Sequence, residues 1–466
     1  MVVQESVTGM GVASLDAAAI QGLRASHSGE VLTPADAGYA AARQVFNAMI
    51  DKRPALIARC AGVADVIAAV NFARERDFLV AVRGGGHNVA GKSMCDGGLV
   101  IDLSRMKSIR VDPVARTARA EGGATYADFD RETQAFGLAT TGGTVSMTGI
   151  AGLTLGGGVG WLMRQHGTAS DNLLSVDLVT ADGSFLTASE TAHPDLFWGI
   201  RGAGANFGVV TAFEYRLHPV GQVTAGMLIH PIERAREVYR LARDTMRDAP
   251  PEMSLLAGLL YTPEGQPAAA LLPFYNGTGE AAERALAPIR RFGPPLADHV
   301  QPMAYRQLQT MLDASFPVGL HNYWKSHFLR DLPDAAIDAI AAHFAQAPSH
   351  HCLTVLEEFG GDVTARDPDA TAFNLREGRH NVLIVARWAD PTQAEGHIAW
   401  ARASAAAVEP FATAAEYVNY MNESEQERVK EVYGATKYAR LAAIKRRYDP
   451  TNFFRVNHNI VPAGSN

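Results

Sequence analysis

A histidine at the end of a run of glycines is the first group in this sequence that could do chemistry. The run occupies residues 83–88 (RGGGHN) and follows a β-rich segment at 78–82. Consecutive glycines can turn several backbone N–H groups into one concavity, which suits a diphosphate. The imidazole of His87 is also a good nucleophile toward an electrophilic carbon of a cofactor. The run therefore predicts a nucleotide-cofactor site, with a tight turn as the alternative.

A second glycine run lies roughly 65 residues further on, at residues 152–160 (GLTLGGGVG). Taken alone, either run is as typical of a tight turn as of a phosphate site. Neither belongs to a Rossmann fingerprint, because none of the places where glycines stand two apart completes G-x-G-x-x-G. A nucleotide bound by this chain is therefore not held by the usual first βα turn.

The first run overlaps a third motif. Residues 86–93 (GHNVAGKS) match the P-loop pattern G-x-x-x-x-G-K-[ST], with Lys92 as its lysine, and this match alone indicates a nucleoside triphosphatase. A P-loop must open a helix whose N-terminus holds the phosphates. Here the chain continues through Gly97 and Gly98 into a predicted strand at 99–103, so that helix is missing. A triphosphatase that binds ATP with magnesium is kept only as an alternative.

The composition excludes several classes of protein. The chain has 466 residues, 47% of them apolar and 20% charged, as in a soluble globular protein with two domains. Its net charge of −7 argues against nucleic acid as a partner. Cys60, Cys95 and Cys352 lie too far apart for a disulfide framework or a zinc site, which predicts a cytoplasmic protein without a metal. No signal peptide and no run of 18 apolar residues is found, so no membrane segment is expected.

The elements that must position these residues are mixed helices and strands up to about residue 215. A helix with Tyr126 and Phe136 on one face is predicted to end at Gly137, and a hairpin is predicted to turn at residues 182–183 (DG). These elements surround both glycine runs in the sequence. They predict one domain that carries the cofactor site.

From about residue 225 glycine becomes rare, and amphipathic helices alternate with strand-like runs. These runs are SLLAGLLYT, AALLPFY, HCLTVLEEF and NVLIVARW. The pattern predicts a second, α+β domain in which helices cover one side of an antiparallel sheet. A last amphipathic helix is predicted in QERVKEVYGATKYARLAAIKRRY, ahead of the tail YDPTNFFRVNHNIVP.

Four ordered segments of the chain resemble the berberine bridge enzyme-like flavoproteins, which belong to the vanillyl-alcohol oxidase/p-cresol methylhydroxylase superfamily. They begin RGGGHNVAGKS, GIAGLTLGGGVG, HPDLFWGIRGAG and YDPTNFFRVNHN, and the likeness is dense over 55–215 and 413–462. It implies an α+β, two-domain FAD-binding fold of the p-cresol methylhydroxylase type. The N-terminal part of the FAD domain would span 1–220, the substrate domain 221–412, and a C-terminal segment at 413–466 would return to the FAD domain.

The resemblance also implies which residues hold the FAD. His87 would be joined covalently to the 8α carbon of the isoalloxazine, and Asn459 would lie near the flavin ring. Many relatives attach the flavin a second time through a cysteine, but that position holds Val145 here, so a single link is expected. The other residues implied in FAD binding are Arg83, Gly84, Gly85, Gly86, Asn88, Gly149, Ile150, Gly152, Gly156, Gly157, Gly158 and Gly160.

For the reaction, the resemblance implies that a carbon beside oxygen or nitrogen gives hydride to flavin N5 while a base takes a proton. Tyr420, in the segment EYVNY, is implied as the base, with a half-buried core tyrosine as the alternative. A tyrosine with a pKa near ~10 needs a cation or a strong hydrogen bond to act at neutral pH. Lys325 is a candidate for that cation, with a surface lysine as the alternative. Residues 350–351 (HH) and 357–358 (EE) lack zinc-site spacing and stay unassigned.

The expected function is that of an FAD-linked oxidase. Its small-molecule substrate would be an alcohol, a sugar or a phenolic natural product, and dioxygen would take the electrons and give hydrogen peroxide. Ile150 holds the position that tunes dioxygen access in relatives, and its side chain is intermediate in bulk. The alternatives are an amine oxidase of the hydroxynicotine-oxidase kind, a flavin dehydrogenase with another acceptor, and a flavin-free binding protein that keeps the fold.

Overall fold

The computed structural model describes residues 16–422 and 426–464. Within these ranges, helices and strands alternate along most of the chain. The helices are α1 (Ala17–Ser26), α2 (Tyr39–Ala42), α3 (Val63–Glu75), α4 (Tyr126–Thr133), α5 (Ile150–Leu155), α6 (Met163–His166), α7 (Pro194–Ala203), α8 (Ala235–Arg247), α9 (Glu280–Arg290), α10 (Tyr305–Thr310), α11 (Asp334–Phe344), α12 (Asp362–Ala365), α13 (Ala394–Val408), α14 (Gln426–Tyr433) and α15 (Ala435–Tyr448). None of them is both long and apolar enough to cross a membrane.

The strands form two small sheets, one large sheet and a short pair. They are β1 (Glu30–Leu32), β2 (Leu56–Arg59), β3 (Val80–Arg83), β4 (Leu99–Asp102), β5 (Ile109–Asp112), β6 (Thr117–Glu121), β7 (Leu138–Ala139), β8 (Leu173–Val179), β9 (Phe185–Ser189), β10 (Val209–Arg216), β11 (His218–Pro219), β12 (Gln222–Ala225), β13 (Leu228–Pro231), β14 (Met253–Tyr261), β15 (Pro267–Tyr275), β16 (Ala297–Asp298), β17 (Gln301–Ala304), β18 (His321–Leu329), β19 (Leu353–Glu358) and β20 (His380–Trp388).

The first sheet has the strand order β1-β2-β4-β3, in which β2, β4 and β3 run parallel and β1 runs antiparallel to β2. Parallel strands need a crossover connection, and α3 makes the one between β2 and β3. Strand β3 ends at Arg83, so the first glycine run begins at the carboxyl end of a parallel strand. Ligands of open α/β sheets bind at that end of the strands.

The second sheet is antiparallel, with the order β5-β6-β10-β8-β9. Its β8–β9 hairpin turns where the sequence predicts, with Gly183 at a φ of +83°. The hydrophobic core beside this sheet contains residues from both parts of the chain, among them Phe213 before the large sheet and Leu441 and Ile460 after it. The C-terminal segment therefore shares a core with the glycine-rich part.

The large sheet is antiparallel and runs β16-β13-β15-β14-β19-β20-β18, with β12 beside β15 and β17 beside β12. Alternate residues of a strand point to opposite faces. Leu255, Leu356 and Ile384 pack on one face against the helices α8, α11 and α13. The other face carries Leu256 and Val355 and is turned toward the cavity described below. The α+β fold with a helix-covered antiparallel sheet is thus confirmed.

Two local predictions were wrong. The helix ahead of Gly137 leaves the α conformation at Thr133 and continues as a 3₁₀ turn, so Phe136 is rotated off the buried face and is exposed. The last amphipathic segment is two helices, α14 and α15, because Gly434 takes a φ of +73° between them. A left-handed residue ends a helix, and glycine adopts that conformation at low cost.

A buried ion pair attaches the C-terminal tail. The Lys445 ammonium donates to Asp449 Oδ2 at 2.7 Å and to the carbonyl oxygens of Asn206 and Phe454 at 2.6 and 2.7 Å. The Asp449 carboxylate in turn accepts the backbone N–H groups of Phe453 and Phe454. Both charged side chains are fully buried. The pair therefore fixes the start of the tail against the glycine-rich domain.

Candidate active site

The first glycine run packs against Gly149, which lies three residues ahead of the second run. A Cβ on Gly85 would lie 2.6 Å from Gly149 Cα, and a Cβ on Gly149 would lie 2.5 Å from Gly85 N. Neither distance leaves room for a side chain. The following residue, Gly86, has a φ of +69°, which glycine adopts without strain. The glycines therefore allow the loop at 84–88 to pack directly against the start of α5.

The imidazole of His87 is held in a defined orientation. Its ring stacks on the Phe46 ring with 4.0 Å between centroids and 13° between planes. Burial lowers the pKa of His87 to about 4, so the ring is neutral at physiological pH. Its Nε2 atom is buried and has no hydrogen-bond partner among the described residues. A neutral imidazole with an unpartnered ring nitrogen can act as a nucleophile.

His87 lies on the wall of a large cavity between the glycine-rich domain and the large sheet. The cavity has a volume of about 350 Å³. This lies within the ~300–1,000 Å³ that is typical of ligand sites. One wall consists of the loop at 84–88, helix α5 and the tail at 456–458, and the other of strands β14, β18, β19 and β20. One cavity therefore joins the first glycine run to the large sheet.

Polar groups without partners line the glycine-rich side of this cavity. Ser93 Oγ, Asn457 Oδ1 and both ring nitrogens of His458 are buried and lack a hydrogen-bond partner within the described ranges. Burial, and next the nearby Lys92 ammonium, lower the pKa of His458 to about 4. Buried polar atoms in native proteins are normally paired. These atoms therefore fit a polar ligand that is held in the cavity.

On the side of the large sheet, Tyr420 is paired with a carboxylate. Its hydroxyl donates to Glu357 Oε1 at 2.8 Å, and Asn381 Nδ2 donates to Glu357 Oε2 at 2.6 Å. Burial raises the pKa of Glu357. Burial, followed by the Glu357 carboxylate, raises the pKa of Tyr420 well above its ordinary value. The tyrosine therefore stays protonated at neutral pH, and Glu357 is the hydrogen-bond acceptor of the pair.

Of the two alternatives for Lys325, the structure does not support the cation beside Tyr420, because Lys325 does not line the cavity. Lys325 follows Trp324 on β18, and only Trp324 of the two lines the cavity, with its ring 5.7 Å from the Tyr420 ring. Consecutive strand residues point to opposite faces. The Lys325 ammonium lies 5.7 Å from the ring centroid of Tyr323, which belongs to the core between sheet and helices. A carboxylate, and not a cation, thus stands beside Tyr420.

A chain of aromatic contacts joins the two walls. Phe46 stacks on His87 and also meets the edge of the Trp324 ring, with 6.3 Å between centroids. Trp324 in turn meets Tyr420. The chain places the imidazole and the Tyr420–Glu357 pair in one cavity, connected through two intervening rings.

The wall around the Tyr420–Glu357 pair is mostly apolar, with Ser315, Tyr417 and Asn419 as polar exceptions. Besides Trp324, it presents the aliphatic and aromatic side chains of Met227, Leu256, Leu260, Leu272, Leu312, Phe316, Leu353, Val355 and Leu383. A ligand bound here would therefore lose water from most of its surface.

The structure brings most of the predicted site residues to the cavity. Val145 lies on its wall, where the sequence has no cysteine for a second attachment. Gly152 leaves open space toward the cavity, since no heavy atom lies within 4 Å of a Cβ built on it. The predicted residues that line the cavity are Gly84, Gly85, Gly86, His87, Asn88, Val145, Gly149, Gly152, Gly156 and Tyr420.

Other predicted residues lie behind the cavity wall. The Arg83 guanidinium donates to the Ala42 carbonyl oxygen, and Ile150 packs in the core of the glycine-rich domain. The Asn459 carbonyl accepts from Gln426 at 3.2 Å. The role of each toward a flavin stays a prediction. The residues in this group are Arg83, Ile150, Gly157, Gly158, Gly160 and Asn459.

Sequence reasoning missed Glu357, Asn381, Phe46 and Trp324 as site residues. A usable signal existed for Glu357, because it follows Leu353 and Val355 at a spacing of two and so places one carboxylate on an apolar strand face. No recognisable motif in the sequence marks Phe46 as a site residue. In the part of the chain that the structure describes, no cluster of three or more His, Cys, Asp or Glu side chains could hold a metal ion.

The P-loop alternative fails in the structure. After Ser93 the chain makes turns and then enters β4, so no helix follows the motif. Asn88 instead closes the turn, accepting the Lys92 backbone N–H at 3.1 Å. Lys92 lines the same cavity as His87.

FAD fits the residues that are present. The glycine backbones provide a close-packed cradle, the unpartnered polar atoms call for a polar ligand, and His87 offers a neutral nucleophile. The Tyr420–Glu357 pair faces the same cavity. Fold and site together define a flavin-dependent oxidoreductase.

Comparison with known proteins assigns the family. The model of the FAD binding domain matches residues 54–189, and that of the berberine and berberine-like domain matches residues 416–461. (R)-6-hydroxynicotine oxidase of Paenarthrobacter nicotinovorans is 36% identical over 94% of this chain and 98% of its own. An FAD-linked oxidoreductase of Dictyostelium discoideum is 33% identical over 90% of this chain and 91% of its own.

Among solved structures, 6-hydroxy-D-nicotine oxidase from Arthrobacter nicotinovorans superposes with a TM-score of 0.86 at 32% identity. The superposition covers 93% of this chain and 98% of that protein. The chain belongs to the berberine bridge enzyme-like family of FAD-linked oxidoreductases.

Proposed function

We propose that this protein is an FAD-dependent oxidase whose flavin is joined to His87 by a single covalent bond. The proposal depends on one observation: the cavity that contains the neutral, unpartnered imidazole of His87 also contains the Tyr420–Glu357 pair. When bound, FAD supplies an acceptor for hydride and passes the electrons to dioxygen, which gives hydrogen peroxide.

The Tyr420–Glu357 pair would remove one proton from the substrate. The substrate O–H or N–H donates to the Tyr420 oxygen while the Tyr420 hydroxyl donates its own proton to Glu357 Oε1, 2.8 Å away. The raised pKa of Glu357 makes its carboxylate a stronger base. The hydrogen bond from Asn381 holds the carboxylate in this orientation. One proton thus ends on Glu357 as hydride leaves the adjacent carbon.

The cavity wall favours an aromatic or otherwise apolar substrate with one reacting hydroxyl over a sugar. A sugar would bury several hydroxyl groups against side chains that offer no hydrogen bond, such as Leu256, Val355 and Phe316. Each unpaired polar group costs about 1–3 kcal/mol. An amine is the second candidate, because the buried Glu357 carboxylate would also hold a protonated amine, and the related nicotine oxidase supports this class.

The covalent link is tested on a denaturing gel. Wild-type protein that has been purified yellow is expected to show flavin fluorescence on its band, because the bond survives unfolding. His87→Ala is expected to lose the band fluorescence completely while the folded variant still takes up free FAD. His458→Ala, which lies on the same cavity wall, should keep the fluorescent band. A wild-type band without fluorescence would remove the covalent link from the proposal.

The substrate class is tested by anaerobic flavin reduction with a matched panel. An arylmethyl alcohol and an arylmethyl amine, which both carry a C–H beside the heteroatom, are expected to reduce the flavin with a higher kcat/KM than a mono- or disaccharide. The expected difference is about tenfold to hundredfold for each hydroxyl that the sugar buries without a partner. Air should then restore the oxidised spectrum and yield peroxide. Faster reduction by the sugars would overturn the assigned class, and persistence of the reduced spectrum in air would indicate a dehydrogenase.

We also propose a cytoplasmic location. Cys60, Cys95 and Cys352 are buried and unpaired, as expected in a reducing compartment. The net charge of −7 supports the absence of a nucleic-acid partner.

A further inference from the structure

The residues that orient His87 come from a segment ahead of the glycine runs. Phe46 is 5% exposed, its ring stacks on the His87 imidazole, and its backbone N–H donates to the Gly86 carbonyl oxygen at 3.0 Å. The stacked ring blocks one face of the imidazole. It therefore restricts rotation of the His87 side chain to the orientation in which the ring edge meets the cavity.

The next residue joins both walls of the cavity. Asn47 is 1% exposed, and its Nδ2 donates to the Val89 carbonyl at 2.7 Å and to the Asn322 carbonyl at 2.9 Å. Its Oδ1 accepts the Asn322 backbone N–H at 2.9 Å. Val89 belongs to the His87 loop and Asn322 to strand β18. One buried amide thus bridges the loop and the large sheet.

The same two elements are joined a second time through rings. Phe46 meets Trp324, and Trp324 Nε1 donates to Asn322 Oδ1 at 3.2 Å. The Ala48 N–H also donates to the Leu320 carbonyl at 3.0 Å. The segment at 46–48 therefore contacts the His87 loop on one side and the strand that carries Trp324 on the other.

We propose that Phe46 and Asn47 are positioning residues for the covalent attachment of flavin to His87, and that they make attachment depend on docking of the large sheet. This inference rests on the proposed function, since it assumes the link at His87. Attachment forms one bond between an imidazole nitrogen and the 8α carbon. One proton leaves that carbon and one leaves the imidazole, and two electrons pass through the ring system to dioxygen, which becomes hydrogen peroxide.

Phe46 is expected to affect the rate of attachment because it fixes the geometry of the His87 imidazole. A nucleophile displaced by ~1 Å can lose about a hundredfold in rate. An imidazole without the stacked ring populates several rotamers. Phe46 therefore acts through His87 and not on the flavin itself, so its loss should slow attachment far more than it weakens FAD binding.

The test measures the rate at which apoprotein, supplied with FAD and air, gains a fluorescent band after denaturation. Phe46→Leu is expected to slow attachment by about tenfold to hundredfold, while free FAD still binds with a flavin-like visible spectrum. Phe46→Tyr keeps the ring and should restore the wild-type rate. Asn47→Asp loses the amide donor to Val89 and Asn322 and should also attach flavin slowly. Phe72→Leu is the matched control, because Phe72 is similarly buried but does not line the cavity and does not contact His87.

Each outcome decides the inference. Slow attachment in Phe46→Leu with normal rates in Phe46→Tyr and Phe72→Leu supports it. A wild-type rate in Phe46→Leu overturns it, as does equal slowing in Phe72→Leu, which would reduce the effect to lost stability. If the wild-type band is fluorescent and Phe46→Leu attaches flavin at the wild-type rate, this inference fails but the proposed function stands. A non-fluorescent wild-type band overturns the covalent link and this inference together.

Discussion

Replacing Glu357 with glutamine is expected to lower the rate of substrate-dependent flavin reduction by about 10²–10⁴-fold. The glutamine keeps the shape of the side chain, but it cannot take a proton, and its single oxygen can accept from only one of the two donors, Tyr420 or Asn381. The substrate O–H or N–H would then have no final acceptor. Stopped-flow reduction under anaerobic conditions measures this step apart from reoxidation. Tyr420→Phe, which interrupts the proton path to Glu357, should also lower the rate of flavin reduction.

The pH profile separates a proton acceptor from a packing residue. Burial raises the pKa of Glu357, so the wild-type rate should fall as pH is lowered through that raised pKa and the carboxylate takes up a proton. Glu357→Gln should lack this acid limb. The matched control is Glu358→Gln, since Glu358 is also buried but points to the other face and pairs with His380 at 3.0 Å. Glu357→Gln with a wild-type rate and an unchanged profile would exclude Glu357 from the reaction.

The tight backbone packing at the first glycine run was predictable, because glycines without a Cβ indicate such packing directly in the sequence. A run such as 84–86 must turn sharply, and only glycine accepts the 2.6 Å approach between Gly85 and Gly149. The strand-like apolar runs likewise predicted strands β14, β15, β19 and β20, whose two faces meet different neighbours. Both signals are local in sequence, so no knowledge of the tertiary fold is needed to read them.

The pairing of Tyr420 with Glu357 was not predictable for the opposite reason. Tyr420 and Glu357 are 63 residues apart, and Asn47 and Asn322 are 275 apart. Only the order of strands in the large sheet brings Asn381 and Glu357 side by side on β20 and β19. Tyr420 was identified from the resemblance, but the sequence suggested a lysine beside it. The face of β18 that Lys325 occupies is set by the register with β20, which the sequence alone does not give.

The Lys445–Asp449 pair is expected to be the most costly polar contact to break in the C-terminal segment. Asp449→Ala would leave the Lys445 ammonium buried with two carbonyl oxygens and no countercharge. It would also remove the acceptor of the Phe453 and Phe454 N–H groups. Breaking one side of a buried ion pair costs about 3–5 kcal/mol. Urea unfolding of the apoprotein should show this loss in the free energy of unfolding.

The exposed pair between Arg440 and Asp195 is the matched control, because it joins the same helix α15 to α7 at 3.1 Å with both side chains largely in water. Asp195→Ala should cost less than about 1 kcal/mol. Lys445→Met added to Asp449→Ala should recover part of the loss, since the uncompensated charge is gone. The tail after Asp449 carries Asn457 and His458 to the cavity wall, so Asp449→Ala should also weaken FAD uptake, whereas Asp195→Ala should not. Equal losses in both single variants would mean that the buried pair does not anchor the tail.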